Sequence, residues 1–243
     1  MKQFLNTNTT KLEKQDKFLH GIVVLDYSFG GAVLLHKLRL LPHPVVYLNV
    51  VGANADEGCN YAVDALGRLD KSLSWTVVLP TANPTAVATL KSVFGSFKFL
   101  QCQPPLAQAT QYSVNGVCVL SRGQKFDGYV NVFAPQLAKL VETNAPQRQI
   151  YQEVERTFLD VSNFDCIAFA DCVFSPIKDV FSLALPNVKV FDCADFLSSH
   201  FYRKGKKAGK NVNTNREEIH FFADDEKNRL NFSKILQKVY KSY

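Results

Sequence analysis

The sequence has no run of about 18 apolar residues, the length that a membrane-spanning helix requires. It has no Cys-x-x-Cys pair among its 6 cysteines, and its N-terminal part is polar through Lys17, without the apolar segment of a signal peptide. These absences predict a protein with no membrane span, no zinc site, no disulfide framework and a location in the reducing cytoplasm.

The glycines follow no Gly-x-Gly-x-x-Gly pattern, so the sequence gives poor support to a dinucleotide site. The run Tyr27-Ser-Phe-Gly-Gly31 nevertheless stands between an apolar strand predicted at 21–26 and a helix predicted at 32–41. Because a helix N-terminus offers free N–H groups and the positive end of its dipole, this unit predicts a loop that can cradle an anion.

Basic residues are concentrated near the C-terminus. From residue 200 onward the chain has eleven Lys and Arg against five Asp and Glu, which accounts for the whole net charge of +6. Five of them fall within eight residues, interrupted by glycine: Arg203, Lys204, Lys206, Lys207 and Lys210. This basic segment predicts weak contact with a nucleic acid or an acidic protein face, or alternatively a solvated loop that only keeps the surface soluble.

Predicted strands and helices alternate along the chain, which indicates an α/β protein with parallel sheets. The predicted strands lie at 21–26, 45–51, 75–79, 97–102, 116–120, 166–170, 188–191 and 219–222. The predicted helices lie at 32–41, 59–73, 85–94, 129–142 and 149–159. A further helix is predicted to begin at Pro176, and a last one is capped by residues 224–226 and ends near residue 240. Residues 52–58 and 203–215 are predicted to be polar loops.

The loop after the strand at 166–170 contains Asp171 and Cys172 and precedes the helix predicted at Pro176. Such a loop lies at the carboxyl edge of a parallel sheet, where α/β folds bind ligands. A thiol near a helix N-terminus can have a lowered pKa and act as a base or nucleophile, whereas the neighbouring carboxylate of Asp171 disfavours the thiolate. The alternative is that Cys172 is one more small buried residue.

Six motifs in order resemble those of the glutamate racemase family, which are cofactor-independent amino-acid racemases. They are Leu25-Asp-Tyr-Ser-Phe-Gly-Gly31, Asp56-Glu-Gly58, Val77-Val-Leu-Pro-Thr-Ala-Asn83, Gln103-Pro-Pro105, Asp171-Cys-Val-Phe-Ser-Pro176 and Ile219-His-Phe-Phe-Ala-Asp-Asp225. The resemblance covers residues 18–240. It implies two Rossmann-like parallel-sheet lobes related by pseudo-symmetry, with residues 1–98 and 206–243 in the first lobe and 99–205 in the second.

The family's reaction, as the resemblance implies it, needs one cysteine from each lobe, on opposite faces of the substrate's α-carbon. At the first position this sequence has Ala82, and only the second cysteine remains, as Cys172. Cys59 stands too early in the chain to replace the first. The methyl group of Ala82 can neither accept nor donate a proton, so inversion of the substrate's α-carbon would lack its second acid–base group.

The residues beside the cysteines also depart from the family pattern. The family's Ser and Thr-His are replaced by Tyr27 and by Val173-Phe174, which makes the predicted site bulkier and more apolar. By the resemblance, Cys172 and Asp26 are the candidate catalytic residues. Ser28, Asn83 and Gly58 are the candidate substrate-binding residues, and no metal or cofactor is implied.

Two classes of function therefore stay open. The first is a glutamate-racemase-like pseudoenzyme with a non-catalytic binding or regulatory role. The second is an active glutamate or aspartate racemase, or a related cofactor-independent enzyme, that uses Cys172 with help from Asp26. A small carboxylate ligand and a homodimer are consistent with both classes.

The basic segment generates a prediction about salt. If its five cations neutralise five phosphates of duplex DNA, log K should fall against log salt with a slope of about −4.5. The measurement is a DNA titration at two salt concentrations, with the intact protein and with a variant that has Gln at all five positions. Equal binding by the two proteins would contradict a role for the segment.

Overall fold

The computed structural model describes residues 20–39, 41, 43–50, 55–71, 73–81, 84–205, 217–221 and 226–242. Their strands form two sheets, of five and four strands, and every strand pairing is parallel. The strands are β1 (His20–Asp26), β2 (Val45–Asn49), β3 (Ser74–Leu79), β4 (Lys98–Gln101), β5 (Val117–Ser121), β6 (Val130–Phe133), β7 (Cys166–Phe169), β8 (Lys189–Phe191) and β9 (Glu217–Phe221).

Helices connect the strands. They are α1 (Gly31–Leu38), α2 (Ala55–Gly67), α3 (Pro84–Val93), α4 (Leu106–Tyr112), α5 (Pro135–Glu142), α6 (Gln147–Phe158), α7 (Lys178–Ala184), α8 (Cys193–Gly205) and α9 (Glu226–Ser242), with a 3₁₀ helix at Cys172–Ile177. The α/β class and the parallel sheets predicted from the sequence are confirmed.

The five-stranded sheet has the order β4-β3-β1-β2-β9 and is covered on both faces. Its central strand β1 sends Ile22 and Val24 into the core that contains α1, and Val23 and Leu25 into the core with α2 and α3. Because both faces of the strand are covered, the strand is apolar at every position between 22 and 25, which is typical of a central parallel strand.

The four-stranded sheet has the order β6-β5-β7-β8. Alternate residues of β7 again point to opposite sides: Ile167 and Phe169 join the core with α5, α6 and α7, whereas Cys166 and Ala168 pack with Ala109 of α4. After this sheet the chain returns to the first one, since β9 pairs with β2.

Helix α1 lies between the two sheets and is buried along most of its length. Ala32, Val33, Leu34, Leu35 and Leu38 are fully buried in a core that also contains residues of α5, α7, α8 and α9. At the margin of this core, the Nζ atom of Lys37 lies 2.8 Å from a carboxylate oxygen of Asp195 in α8. One continuous core therefore includes residues of both sheets.

The carboxyl ends of the two sheets touch through main-chain atoms. The amide of Cys172 donates a hydrogen bond of 3.1 Å to the carbonyl oxygen of Pro80, which directly follows β3. At Gly30, before α1, an added Cβ atom would lie 2.2 Å from the nitrogen of Val173 and 2.3 Å from the carbonyl carbon of Cys172. The φ of Gly30 is −65°, so it is the close approach of the second chain segment that requires glycine here.

Several predicted elements are corrected. The helix predicted at 129–142 is wrong in its first part, because residues 130–133 form β6 and pair with β5. Val-Asn-Val-Phe suits a strand by composition, and Pro135 then begins α5 at a position where its missing N–H costs nothing. The helix expected to begin at Pro176 is preceded by the 3₁₀ helix that contains this proline.

Other differences concern helices that begin earlier or extend further than predicted. Helix α2 starts at Ala55, inside the loop predicted at 52–58, and α4 and α8 were not predicted at all. Helix α8 reaches Gly205, so the exposed loop predicted at 203–215 is wrong for its first three residues. The rest of that loop lies outside the described residues. The division into two domains at 98 and 206 stays a prediction.

The contact at Gly30 generates a prediction about stability. Gly30→Ala should lower the free energy of unfolding by about 2–3 kcal/mol, because the new methyl group meets backbone atoms that cannot rotate away. Gly123→Ala is the matched control, since its Cβ atom would meet nothing within 4 Å. Denaturant unfolding measures both variants, and equal stabilities would contradict the close contact.

Candidate functional site

The loop after β1 is organised around the carboxylate of Asp26, which is fully buried. One oxygen accepts hydrogen bonds from the amide and the hydroxyl of Ser28, both at 2.9 Å. The other accepts from the amide of Gly31 and the hydroxyl of Tyr47, both at 2.7 Å. Four donors thus converge on one side chain, which fixes the turn that leads into α1.

The burial of Asp26 has an electrostatic consequence. Removal from water raises the pKa of its carboxyl group from the ordinary 3.8 to about 6, although the four hydrogen bonds oppose this rise. The carboxylate form therefore still predominates at neutral pH, and both of its oxygens are used to hold the loop.

Ser28 is buried and satisfied within the same loop. Its hydroxyl donates to Asp26 and accepts from the amide of Gly30 at 3.1 Å, and its carbonyl accepts from the side chain of Asn49 at 2.9 Å. Tyr27 is half-buried, with its hydroxyl 3.8 Å from the sulfur of Cys59. Asp26 and Ser28 are hydrogen-bond partners of each other in this loop.

Among the other residues predicted for the site in the first lobe, Gly58 is the one that the structure describes. Gly58 lies buried in α2 instead of in the predicted polar loop. Ala82 and Asn83 lie outside the described residues. Just before them, the hydroxyl of Thr81 donates a hydrogen bond of 3.2 Å to Asp171, across to the second sheet's loop.

Asp171 organises the second loop much as Asp26 organises the first. Its carboxylate accepts from the amide of Val173 at 2.9 Å and so caps the 3₁₀ helix. Arg122 forms an ion pair with the same carboxylate, with its Nε 3.0 Å from Oδ2. This contact is not aligned as a hydrogen bond. Arg122 also forms an ion pair with Glu142. The loop is therefore fixed from both lobes.

Cys172 is fully buried, and its thiol faces two other thiols. Its sulfur lies 3.8 Å from that of Cys102, which directly follows β4, and 3.3 Å from that of Cys193, which begins α8. Burial, reinforced by the contact with Cys102, raises the pKa of the Cys172 thiol well above its ordinary value. The thiol is consequently protonated at neutral pH.

The two residues after Cys172 are also buried. Val173 and Phe174 have no exposed surface, and the ring of Phe174 lies 5.9 Å from that of Phe169 in β7. These apolar side chains belong to the core that holds α1.

The three sulfurs of Cys102, Cys172 and Cys193 lie within 4.8 Å of one another and form what we call the thiol cluster. A Cys-x-x-Cys pattern could not have predicted this cluster, because its three cysteines are separated by 70 and 21 residues. A signal was available in the sequence, since Cys102 ends a predicted strand and Cys172 and Cys193 each follow one by two residues. All six cysteines are free thiols in the structure.

The fold was compared with known proteins. No family model matches the chain, and no curated protein matches it. Among solved structures, it is similar to Escherichia coli glutamate racemase in complex with L-glutamate and the activator UDP-MurNAc-Ala, with a TM-score of 0.68, 15% identity, and coverage of 90% of this chain and 95% of the racemase.

Two further racemases give comparable values. Thermus thermophilus glutamate racemase, in complex with beta-chloro-D-alanine, has a TM-score of 0.64 and 17% identity, with coverage of 89% and 93%. The RacE1 isoform from Bacillus anthracis has a TM-score of 0.63 and 16% identity, with coverage of 92% and 94%. The chain has the glutamate racemase fold.

The racemase fold accounts for the arrangement of the two loops. The Asp26 loop and the Cys172 loop occupy the facing carboxyl edges of the two sheets, as the resemblance implied. Of the basic segment, Arg203 and Lys204 lie in the last turn of α8, and Lys206, Lys207 and Lys210 lie outside the described residues. Within the described part of the chain, no helix is long and apolar enough to cross a membrane.

The buried carboxylate generates a prediction about pH. Because the pKa of Asp26 is about 6 in the folded protein against 3.8 ordinarily, the folded state holds more protons between these values. The free energy of unfolding should therefore fall as pH rises through this window, by about 3 kcal/mol relative to Asp26→Asn, which cannot titrate. Urea unfolding of both proteins from pH 4 to 7 measures the difference.

Asp127→Asn is the control, because the side chain of Asp127 is 96% exposed. Its unfolding curve should run parallel to that of the unmodified protein. Parallel curves for Asp26→Asn as well would mean that the carboxyl group of Asp26 ionises normally.

Proposed function

We propose that this protein uses the glutamate racemase fold without the racemase reaction, in a binding or regulatory role. The observation that carries this proposal is the closed contact at the facing loops. The amide of Cys172 donates a hydrogen bond to the carbonyl oxygen of Pro80 in the other lobe, and the thiol of Cys172 faces the thiols of Cys102 and Cys193.

The state of Cys172 argues against proton abstraction from a substrate. A general base must be ionised and within hydrogen-bond reach of the proton that it removes. Cys172 has no exposed surface, and burial keeps its thiol protonated. The resemblance implies that the other acid–base group stands at position 82, where this sequence has alanine.

Asp26 is an equally poor substitute for the base. Each of its oxygens already accepts two hydrogen bonds, so removing a substrate proton would break the contacts that hold the turn before α1. A buried amide that loses its acceptor costs about 1–3 kcal/mol. The carboxylate therefore supports the loop.

The backbone donors that would bind a small carboxylate are occupied as well. The amides of Ser28, Gly30 and Gly31 all donate within their own loop, and the amide of Cys172 donates to Pro80. A glutamate carboxylate placed there would face polar groups that already have partners. This supports loss of amino-acid binding together with loss of the chemistry.

The competing proposal is an active racemase, and it rests on the fold that the chain shares with the L-glutamate complex from Escherichia coli. In that case the two loops must separate to admit substrate. Opening would break the Cys172–Pro80 and Thr81–Asp171 hydrogen bonds and expose Phe174 to water. The two proposals therefore differ in what glutamate should do to the protein.

We expect no conversion of L- to D-glutamate or of L- to D-aspartate, and no exchange of the α-proton in deuterated water. Neither amino acid should raise the midpoint of thermal unfolding at millimolar concentration, because a ligand stabilises only a state that it binds. A chiral assay and a thermal-shift titration measure these outcomes, with a known glutamate racemase as the positive control.

Turnover on the order of 1 s⁻¹ would support the active enzyme instead. It should then disappear in Cys172→Ala and persist in Cys118→Ala. Cys118 is the matched control because it is as deeply buried as Cys172 but lies in the middle of the second sheet, in β5.

A further inference from the structure

The thiol cluster has the composition of a metal site. Cysteine sulfur is the ligand that thiophilic ions with a filled d shell, such as Cu(I) and Zn(II), prefer in proteins. The three cysteines come from three different strand ends and from both sheets, and they meet at the edge where the racemase fold places its loops. Cys118 and Cys166 are buried free thiols that take no part.

The distances within the cluster suit a single ion. An ion bound to three sulfurs at about 2.3 Å holds these sulfurs about 4 Å apart when it lies in their plane. The sulfur of Cys172 lies 3.3 Å from that of Cys193 and 3.8 Å from that of Cys102, and all three sulfurs lie within 4.8 Å of one another. Movements of several tenths of an ångström, within the range of side-chain rotation, would admit the ion.

A second observation lies beside the cluster. Asp192 is buried, and its Oδ1 accepts hydrogen bonds from the hydroxyl of Ser175 at 2.6 Å and from the amide of Ala194 at 2.8 Å. Its Oδ2 is buried with no hydrogen-bond partner among the described residues. Asp192 is next to Cys193 and close enough to Cys172 to interact with both electrostatically. An unpaired carboxylate oxygen is costly in the interior unless a cation or a proton is near it.

We propose that Cys102, Cys172 and Cys193 bind one thiophilic metal ion, Cu(I) or Zn(II), in the interior between the two sheets. The ion replaces the protons of the thiols that coordinate it, and these protons go to the solvent. Because Cys102 follows the first sheet and the other two follow the second, the ion joins the lobes.

Two physical arguments distinguish the ions. Three sulfurs, with no fourth side-chain ligand in the cluster among the described residues, favour Cu(I), which accepts three-coordination, over Zn(II), which in structural sites is four-coordinate. A divalent ion leaves less net negative charge on three thiolates than a monovalent ion does. This favours Zn(II), because the surroundings are buried and already hold carboxylates. Both ions are therefore tested separately.

The experiment uses the full chain, reduced, metal-free and kept under nitrogen. Cu(I) is titrated in competition with a chromogenic Cu(I) chelator, and Zn(II) in competition with a fluorescent zinc indicator. We expect one equivalent of at least one ion to bind. Affinity should fall at least about a hundredfold in Cys102→Ser, Cys172→Ser and Cys193→Ser, since even the loss of a group that only supports a ligand costs ten- to a hundredfold.

Cys118→Ser is the matched control and should bind as the unmodified protein does. Failure of both ions to compete would overturn the proposal. So would equal affinity in all four variants, or loss of binding only in Cys59→Ser, since Cys59 lies outside the cluster.

A second measurement does not depend on the variants being folded. X-ray absorption of the unmodified protein loaded with one equivalent of the ion should show a first shell of three sulfurs at about 2.3 Å. A first shell made only of nitrogen and oxygen would overturn the proposal. The outcome is independent of racemase activity, because it reports the ligands of the ion and not the fate of glutamate.

Discussion

The approach of Gly30 to the peptide between Cys172 and Val173 is the constraint on which the rest of the structure depends. It brings the carboxyl edges of the two sheets into direct main-chain contact, so any side chain at position 30 would displace the second loop. Helix α1 begins at the next residue, and its buried face then packs against both sheets' helices. The two sheets thereby share one core.

This contact also determines what the loops can do. At both edges an aspartate, Asp26 or Asp171, accepts hydrogen bonds from nearby amides. The amide of Gly31, in the loop before α1, donates to Asp26 of the same loop. In an anion-binding loop such donors must be free to meet the ligand. Here the same donors bond within the loops, and the Cys172 amide bonds to Pro80 of the other lobe.

The cysteines show how packing and chemistry can compete for one residue type. A buried thiol behaves as a small apolar group and needs no further role. Three thiols that converge from distant positions, beside a carboxylate oxygen without a partner, form a set of ligands that packing alone does not require. Their place at the interface of the sheets links metal binding to the association of the lobes.

The α/β class, the succession of most strands and the resemblance could all be predicted from the sequence, and the comparison with solved structures supports the fold that the resemblance implied. Apolar runs such as 22–25 are local signals, because a central parallel strand must be apolar on both faces. The sequence also predicted Asp26, Ser28 and Cys172 as residues of the facing loops. Local patterns failed at β6, where pairing with β5 decides the outcome. Helix α8 was missed although the cap from Asp192 to the amide of Ala194 is a local signal.

How those residues are used depends on the tertiary structure. That Tyr47 donates to Asp26, that Cys172 faces two thiols, and that Gly30 is in contact with the second lobe all depend on distances between segments far apart in the chain. No spacing in the sequence encodes such distances. The physical reason is that burial and hydrogen-bond geometry arise only when both sheets close on the core around α1.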